Sequence, residues 1–355
     1  MIALQWQGQV LSLLDQSKYP QEAVWITCTD VKTVAEVLSS GAVKEEKIAA
    51  VAGVYGYCLA ALEHQELQQT PAFDEKLAEA KALLLASRNN ARDMVLAMTF
   101  MENPPEAYTK NVDRLTTILA TAVTFDREQV VGDRNTCRNG TDLMGEGTRL
   151  IIRTDRGAFH SASPCGALGI ARRGLKRNVL EQVTLCEGRP SLVAGTLLAQ
   201  EMAKDNLPCT VIPDHAAATF LARQGAHLVL TDGILAAKNG DLKAPVGTYE
   251  LAIACYFHSI PFYVVLNAND IDLEMESGVG HGIDEGDPKS VTDGLDCGGA
   301  QGWTPAYDVI PAFLITGFIT DRGIACAPYE ETLEHTVKYA PKKMIVDFSD
   351  LGGQA

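Results

Sequence analysis

An acid followed by glycine closes the apolar run HLVLTDG (227–233). Short β-branched runs alternating with helical patterns surround it. VTLC (183–186), CTVI (209–212) and IPFYVV (260–265) read as strands, and TYELAIACYFHS (248–259) as a helix leading into the last of them. That alternation predicts a parallel sheet covered by helices. In such sheets ligands bind beyond the carboxyl ends of the strands. Asp232 therefore lies at the mouth of any site. An acid there either moves protons or caps a neighbouring helix, and the residues alone leave both readings open. Asp214 and His215 follow CTVIP in the same way. Asp214 reads most simply as an N-cap, and His215 could face the crevice. His258 sits at a helix end, where a histidine is electrostatically favoured.

The elements that must position these groups fall into two parts, an N-terminal domain over 1–125 and a parallel-sheet domain over 126–355. TDVKTVAEVLSSG (29–41) is an amphipathic segment with Asp30 placed to cap it and Gly41 following its end. EEKIAAVAGVYGYCLAALEH (45–64) and FDEKLAEAKALLLASRNNARDMVLAMTFM (73–101) read as helices, and Asn103-Pro104-Pro105 breaks the second. NVDRLTTILATAVTF (111–125) reads as one more helical segment. GDRNTCRNGTDLMGEGTRLI (132–151) reads as the link into the sheet domain. The stretch 274–302, rich in Gly and Asp, reads as a surface loop able to close over a site. Its acids lack calcium-loop spacing. The fold class is thus α/β: a small β element and a mainly helical domain, then a Rossmann-like parallel-sheet domain.

Composition excludes several function classes. The net charge of −15 argues against a nucleic-acid surface, which needs clustered cations. The local exception, Arg172-Arg173-Gly174-Leu175-Lys176-Arg177, reads as a solvated helix face. No apolar run nears the ~20 residues that span a membrane, and the first residues lack a signal-peptide layout. Nine scattered cysteines, with no zinc-like spacing, read as reduced thiols in a cytoplasmic protein. No GxGxxG follows a strand, so no nucleotide cofactor is indicated, and no metal.

Several long motifs resemble, in order, the methylthioribose-1-phosphate isomerase family, which is related to the regulatory subunits of translation initiation factor 2B. They are LSLLDQSKYP (11–20), VYGYCLAAL (54–62), the 211–265 winding, and TPAYDVIPAFLITGFITDRGIACAPYEETL (304–333). The resemblance implies an aldose–ketose isomerase that opens a sugar ring and moves a proton between C2 and C1. It implies no cofactor, and a homodimer formed through the sheet domains. A family Cys and Asp share the proton work. The Asp carries over to Asp232. The Cys position falls on Ser163 in His160-Ser161-Ala162-Ser163-Pro164-Cys165-Gly166-Ala167-Leu168, which leaves Cys165 as the nearest thiol. A hydroxyl is far less acidic than a thiol, whose ordinary pKa is ~8.5. The resemblance makes His160, Gly166, Arg189, Asn239 and Lys243 the candidates for holding substrate.

The family's phosphate-holding motifs depart from its pattern. Its Arg-Gly-Ala-Pro meets Lys44-Glu45-Glu46-Lys47. Its Ser-Arg-Pro-Thr meets Glu102-Asn103-Pro104-Pro105. Arg189-Pro190 survives, but Val193-Ala194-Gly195-Thr196 replaces the Gln-Gly-Ala-Arg after it. Ala244-Pro245 stands where Asn-Lys would precede Gly247-Thr248-Tyr249, which leaves Lys243 as the stand-in cation. Each charge-assisted bond is worth ~1.5–3 kcal/mol, so losing several would weaken phosphate binding by several orders of magnitude. Two readings follow: an isomerase acting on that sugar phosphate or a related sugar, or a non-catalytic relative binding a small ligand or a protein partner.

Overall fold

The computed structural model describes residues 1–110, 112–282 and 284–339. They form two compact units, one of 1–131 with Phe159–Ser163 and one of Gly132–Ala158 with 164–339.

The first unit opens with an antiparallel sheet of β1 (Leu4–Trp6), β2 (Leu11–Leu14) and β3 (Trp25–Cys28). Then come α1 (Val31–Ser39), α2 (Glu46–Glu63), α3 (Pro71–Ser87), α4 (Arg92–Glu102) and the start of α5 (Arg114–Thr141). Asp30 caps α1 as its sequence predicts, accepting from the Thr33 amide at 2.9 Å. Helix α2 is apolar on every side and is buried on every side from Ile48 to Ala61, as a helix without a polar face must be. The buried Gln16 amide oxygen satisfies α2's entry, accepting from Lys44 N at 2.7 Å and Glu45 N at 3.1 Å. The long 73–101 helical segment divides at Asn89 and Asn90, whose φ of 50° and 56° end α3 in the left-handed region.

The second unit holds β4 (Thr148–Arg153), α6 (Gly166–Lys176), β5 (Leu180–Cys186), α7 (Ala199–Lys204), β6 (Cys209–Ile212), α8 (Ala217–Arg223) and β7 (Leu228–Asp232). Then follow β8 (Leu235–Ala237), β9 (Leu242–Ala244), α9 (Thr248–Phe257), β10 (Phe262–Val265), β11 (Ile271–Asp272) and α10 (Lys289–Thr292). β12 (Asp308–Ile310), β13 (Gly317–Thr320), β14 (Gly323–Ala325) and α11 (Tyr329–Lys338) complete it. The large sheet has the order β6-β5-β4-β7-β10-β13-β14. Every neighbouring pair is parallel except β13 with β14. The chain winds outward from β4 through β5 to β6, then returns to lay β7 against β4 on the other side. That is the doubly wound α/β architecture, and its reversal lies between β4 and β7. A smaller sheet, β11-β8-β9-β12, is built from chain between β7 and β13.

Two sequence expectations fail here. Residues 132–141 are not a link: they are the last turns of α5, a 28-residue helix. Asn139 Nδ2 donates to Thr320 O at 2.8 Å and Cys137 Sγ reaches Pro164 O at 3.4 Å, so tertiary contacts hold polar, weakly helical residues in a helix. The basic run in α6 is also not a uniformly solvated face. Arg172 is buried, with Nε on Asp205 at 2.5 Å and a second nitrogen 3.2 Å from Glu201.

Candidate active site

The register of β4 against β7 pairs Arg153 with Thr231, which sets the next residues, Thr154 and Asp232, side by side at the sheet's reversal. Thr154 Oγ1 donates to Asp232 Oδ2 at 2.5 Å. The other carboxylate oxygen, Oδ1, accepts from Ala167 N at 3.0 Å in the first turn of α6. Asp232 is buried at 5% exposure. It is therefore a helix cap, though for α6 rather than for the chain that follows it. It also stands where a ligand of a doubly wound sheet binds.

Gly166 makes this approach possible. Its φ is +64°, and a Cβ there would lie 2.5 Å from Asp232 Oδ1. Any side chain would enter the carboxylate and strain the backbone. Cys165, beside it, is half-buried at the N-cap of α6 with φ −131° and ψ 171°. A helix N-terminus favours negative charge on an atom placed there.

The loop between β4 and α6 supplies a cation that sequence reasoning missed. Arg156 N donates to Thr154 Oγ1 at 3.0 Å, and its guanidinium reaches Gly233 O at 3.4 Å, one residue beyond Asp232. Thr154 was missed as well. The signal for both was their place in RTDRG (153–157), directly after the strand at which the winding reverses.

A second polar cluster lies at the ends of β4, β5 and β6. Arg153 is 1% exposed. It donates to Asp155 at 2.7 Å and to Val246 O, and its Nε is 3.9 Å from Asp214. Asp214 in turn accepts from Gly188 N at 3.0 Å and Arg189 N at 2.6 Å. It thus closes the 187–189 turn rather than capping the helix after it. Asp308 accepts from Tyr249 N at 2.9 Å at the start of α9. Burial raises its pKa against the pull of the Tyr249, Gly247 and Thr248 backbone N–H groups and of Arg153.

The remaining candidates fall elsewhere. His160 and Ser163 belong to the first unit. His160 exchanges backbone bonds with the chain start, donating to Met1 O at 3.1 Å and accepting from Ala3 N at 3.0 Å. Ser163 is buried at 6% exposure. The Arg189 side chain is half-exposed, 3.9 Å from Glu187. Asn239 shapes the β8–β9 turn by bonding Asp241 at 2.9 Å. Lys243 pairs with Asp284 at 3.3 Å and lies 4.2 Å from the centre of the Tyr307 ring. Of the residues singled out by sequence, Asp232, Gly166 and Cys165 come together.

The model of the initiation factor 2 subunit family matches residues 26–327. The chain is 34% identical to the methylthioribose-1-phosphate isomerase of Pelotomaculum thermopropionicum, covering 99% of this chain and 98% of that one. The 5-methylthioribose 1-phosphate isomerase of Pyrococcus horikoshii superposes with a TM-score of 0.85 at 25% identity, over 96% of each chain. The delta subunit of translation initiation factor eIF-2B from A. fulgidus shares the fold, with a TM-score of 0.82 at 23% identity, over 96% of this chain and all of that one. The chain belongs to the initiation factor 2 subunit family and, within it, to the methylthioribose-1-phosphate isomerase family.

Proposed function

We propose that the chain is an aldose–ketose isomerase acting on methylthioribose-1-phosphate or a closely related sugar phosphate. The observation that carries this reading is the buried Asp232 carboxylate, oriented by Thr154 and Ala167 at the sheet's reversal. Once the sugar ring has opened, Asp232 takes the proton from C2 and returns it to C1. The Cys165 thiol gives its proton to the ring oxygen as the ring opens, and the thiolate so formed takes the O2 proton as the carbonyl forms at C2. Arg156, beside Gly233, is the cation for the phosphate in place of the lost family motifs. Turnover of methylthioribose-1-phosphate in D2O, read by deuterium incorporated at C1, tests the proposal. Absence of both product and exchange in purified protein would overturn it. An Arg156→Ala variant should raise KM far more than it lowers kcat.

One observation favours a second reading, a non-catalytic ligand-binding relative. Two cations that could reach a phosphate are already matched by acids, Arg153 by Asp155 and Lys243 by Asp284. On that reading the same assay gives no exchange, and the chain still binds an unphosphorylated sugar.

We further propose a cytoplasmic homodimer joined through the sheet units. Ile253, Tyr256 and Phe257 on α9, with Phe313, expose 48%, 65%, 81% and 71% of their surfaces. Tyr256 and Phe313 meet edge to face at 6.1 Å. An apolar patch of this kind marks an association surface. Phe257→Glu should give a monomer by sedimentation; an unchanged mass would remove this patch from the interface.

A further inference from the structure

The helical unit contains an open cavity of about 620 Å³ lined by α2, α3, α4 and the start of α5. Nothing in the proposed sugar-phosphate chemistry uses it. Its walls are apolar, with Leu77, Met101 and Ile118 among them. Its charged groups come in two opposed pairs. Lys81 meets Glu102 at 2.5 Å, and Arg114 grips Asp74. Both pairs are part-exposed, with side-chain exposures of 32% and 46% for the first and 40% and 65% for the second. Pairs this wet contribute little, so a ligand can open them at small cost.

Tyr57 adds a phenol to these four charged groups. Its side chain lines the cavity and is 8% exposed. Burial, and after it the charge of Glu102, pushes the phenol's pKa up to about 12, with Arg114 and Asp74 also acting on it. The hydroxyl thus stays protonated at working pH, and Tyr57 shares the cavity wall with the four charged groups. Among the described residues it makes no hydrogen bond, so the phenol is available to a ligand in the cavity.

The charge pattern narrows the ligand. Two cations and two anions sum to zero, so an ion of single sign meets as much repulsion as attraction. A molecule carrying both signs close together, with an apolar remainder, matches the four charged groups and the apolar wall. We propose that this cavity binds a small zwitterion with an apolar tail, the chemistry of an α-amino acid with an aliphatic or aromatic side chain. Lys81, Arg114 and Tyr57 donate to its carboxylate. Glu102 and Asp74 accept from its ammonium. Leu77, Met101 and Ile118 surround the tail.

Calorimetric titration of the full chain with L-leucine and L-phenylalanine tests this, with phenethylamine and 3-phenylpropanoate as the single-charge controls. The zwitterions should bind, and each control should bind more weakly by on the order of tenfold or more, the loss of one charge-assisted set. Tyr57→Phe should weaken L-phenylalanine several-fold. Ala78→Trp, which adds bulk at an exposed position of α3 on the cavity wall, should abolish binding while leaving the melting temperature unchanged. Failure of both amino acids to bind would overturn the proposal. So would equal affinity for the controls, or binding that survives intact in both variants. The measurement is independent of isomerase activity, so it stands or falls separately from the proposed function.

Discussion

The polar group where β4 meets β7 and the polar cluster at the ends of β4, β5 and β6 are built from similar residues with opposite outcomes. At the first, a buried carboxylate is held by two neutral donors, a threonine hydroxyl and a backbone amide. At the second, a buried guanidinium is held by two carboxylates and a carbonyl. The Asp232 oxygens are positioned by the Thr154 hydroxyl and the Ala167 amide, and Gly166 lets the chain approach them closely. The Arg153 charge is matched within the fold and has few donors left to offer. Position at the end of a parallel strand therefore does not by itself make a reactive group. What distinguishes the two regions is the named partner set, a hydroxyl and an amide on Asp232 against two carboxylates on Arg153.

That contrast predicts its largest effect at Asp232. Asp232→Asn keeps the shape and one acceptor oxygen, so the melting temperature should change little. Turnover should fall by on the order of 10²–10⁴, the usual worth of a positioned acid or base. Steady-state kinetics of the variant with methylthioribose-1-phosphate decides it, and normal kcat would put the proton transfer elsewhere. Arg153→Met should do the reverse. Removing one partner of a buried ion pair leaves Asp155 and Asp214 uncompensated, at a cost of about 3–5 kcal/mol by chemical denaturation. If Arg153→Met were fully stable and yet inactive, the second cluster would belong to the site and the contrast would collapse.

The sequence made the sheet legible because β-branched runs and helical runs alternate with little ambiguity. Asp232 stood out because it ends such a run before a glycine. Its partners did not stand out. Thr154 and Arg156 lie in a loop with no periodicity, and their role comes from register with a strand 78 residues away in the case of Thr154. Arg153 was hidden for a different reason. A charged residue at a strand end reads as solvent-facing, and only the packed sheet reveals a guanidinium with 1% exposure. The last turns of α5 read as a link because Asp133, Asn135, Asn139 and Gly140 are poor helix formers. Contact with α6 overrides that preference. A Cβ on Gly140 would come within 2.4 Å of Ile170, so the glycine is what lets the two helices approach.

Gly166 offers an intermediate effect that sharpens the contrast. Gly166→Ala places a methyl group 2.5 Å from Asp232 Oδ1 and forces alanine to φ +64°. The backbone strain alone is worth about 1–3 kcal/mol. Turnover should drop because the carboxylate must move, even in molecules that remain folded. Gly188→Ala, also at positive φ, meets Asp155 at 2.9 Å in the second cluster. It should lower stability by a similar amount with little change in kcat for the folded fraction. Denaturation and kinetics on the same two preparations compare them. Equal loss of kcat in both would mean that the clusters act as one.

The smallest effect concerns the 274–302 stretch, the candidate cover. It is anchored rather than free at its start. Asp241 accepts from Gly278 N at 2.9 Å and from Ala312 N at 2.9 Å, and His281 Nε2 is 3.4 Å from Asp241 O. Burial lowers the pKa of His281, against the favourable influence of Asp241 and Asp272, with Lys243 adding to the lowering. The folded state then binds this proton less readily than the unfolded chain does. Stability contributed by the neutral ring is complete above the unfolded value of ~6.5 and is lost as pH falls from there through the lower folded value. His281→Gln keeps a polar group without the titration, so the wild-type melting temperature should decline faster than the variant's over that window. Parallel melting curves on acidification measure the difference. If the two proteins decline together, the acid sensitivity of this unit lies in groups other than the anchor of its Gly- and Asp-rich stretch.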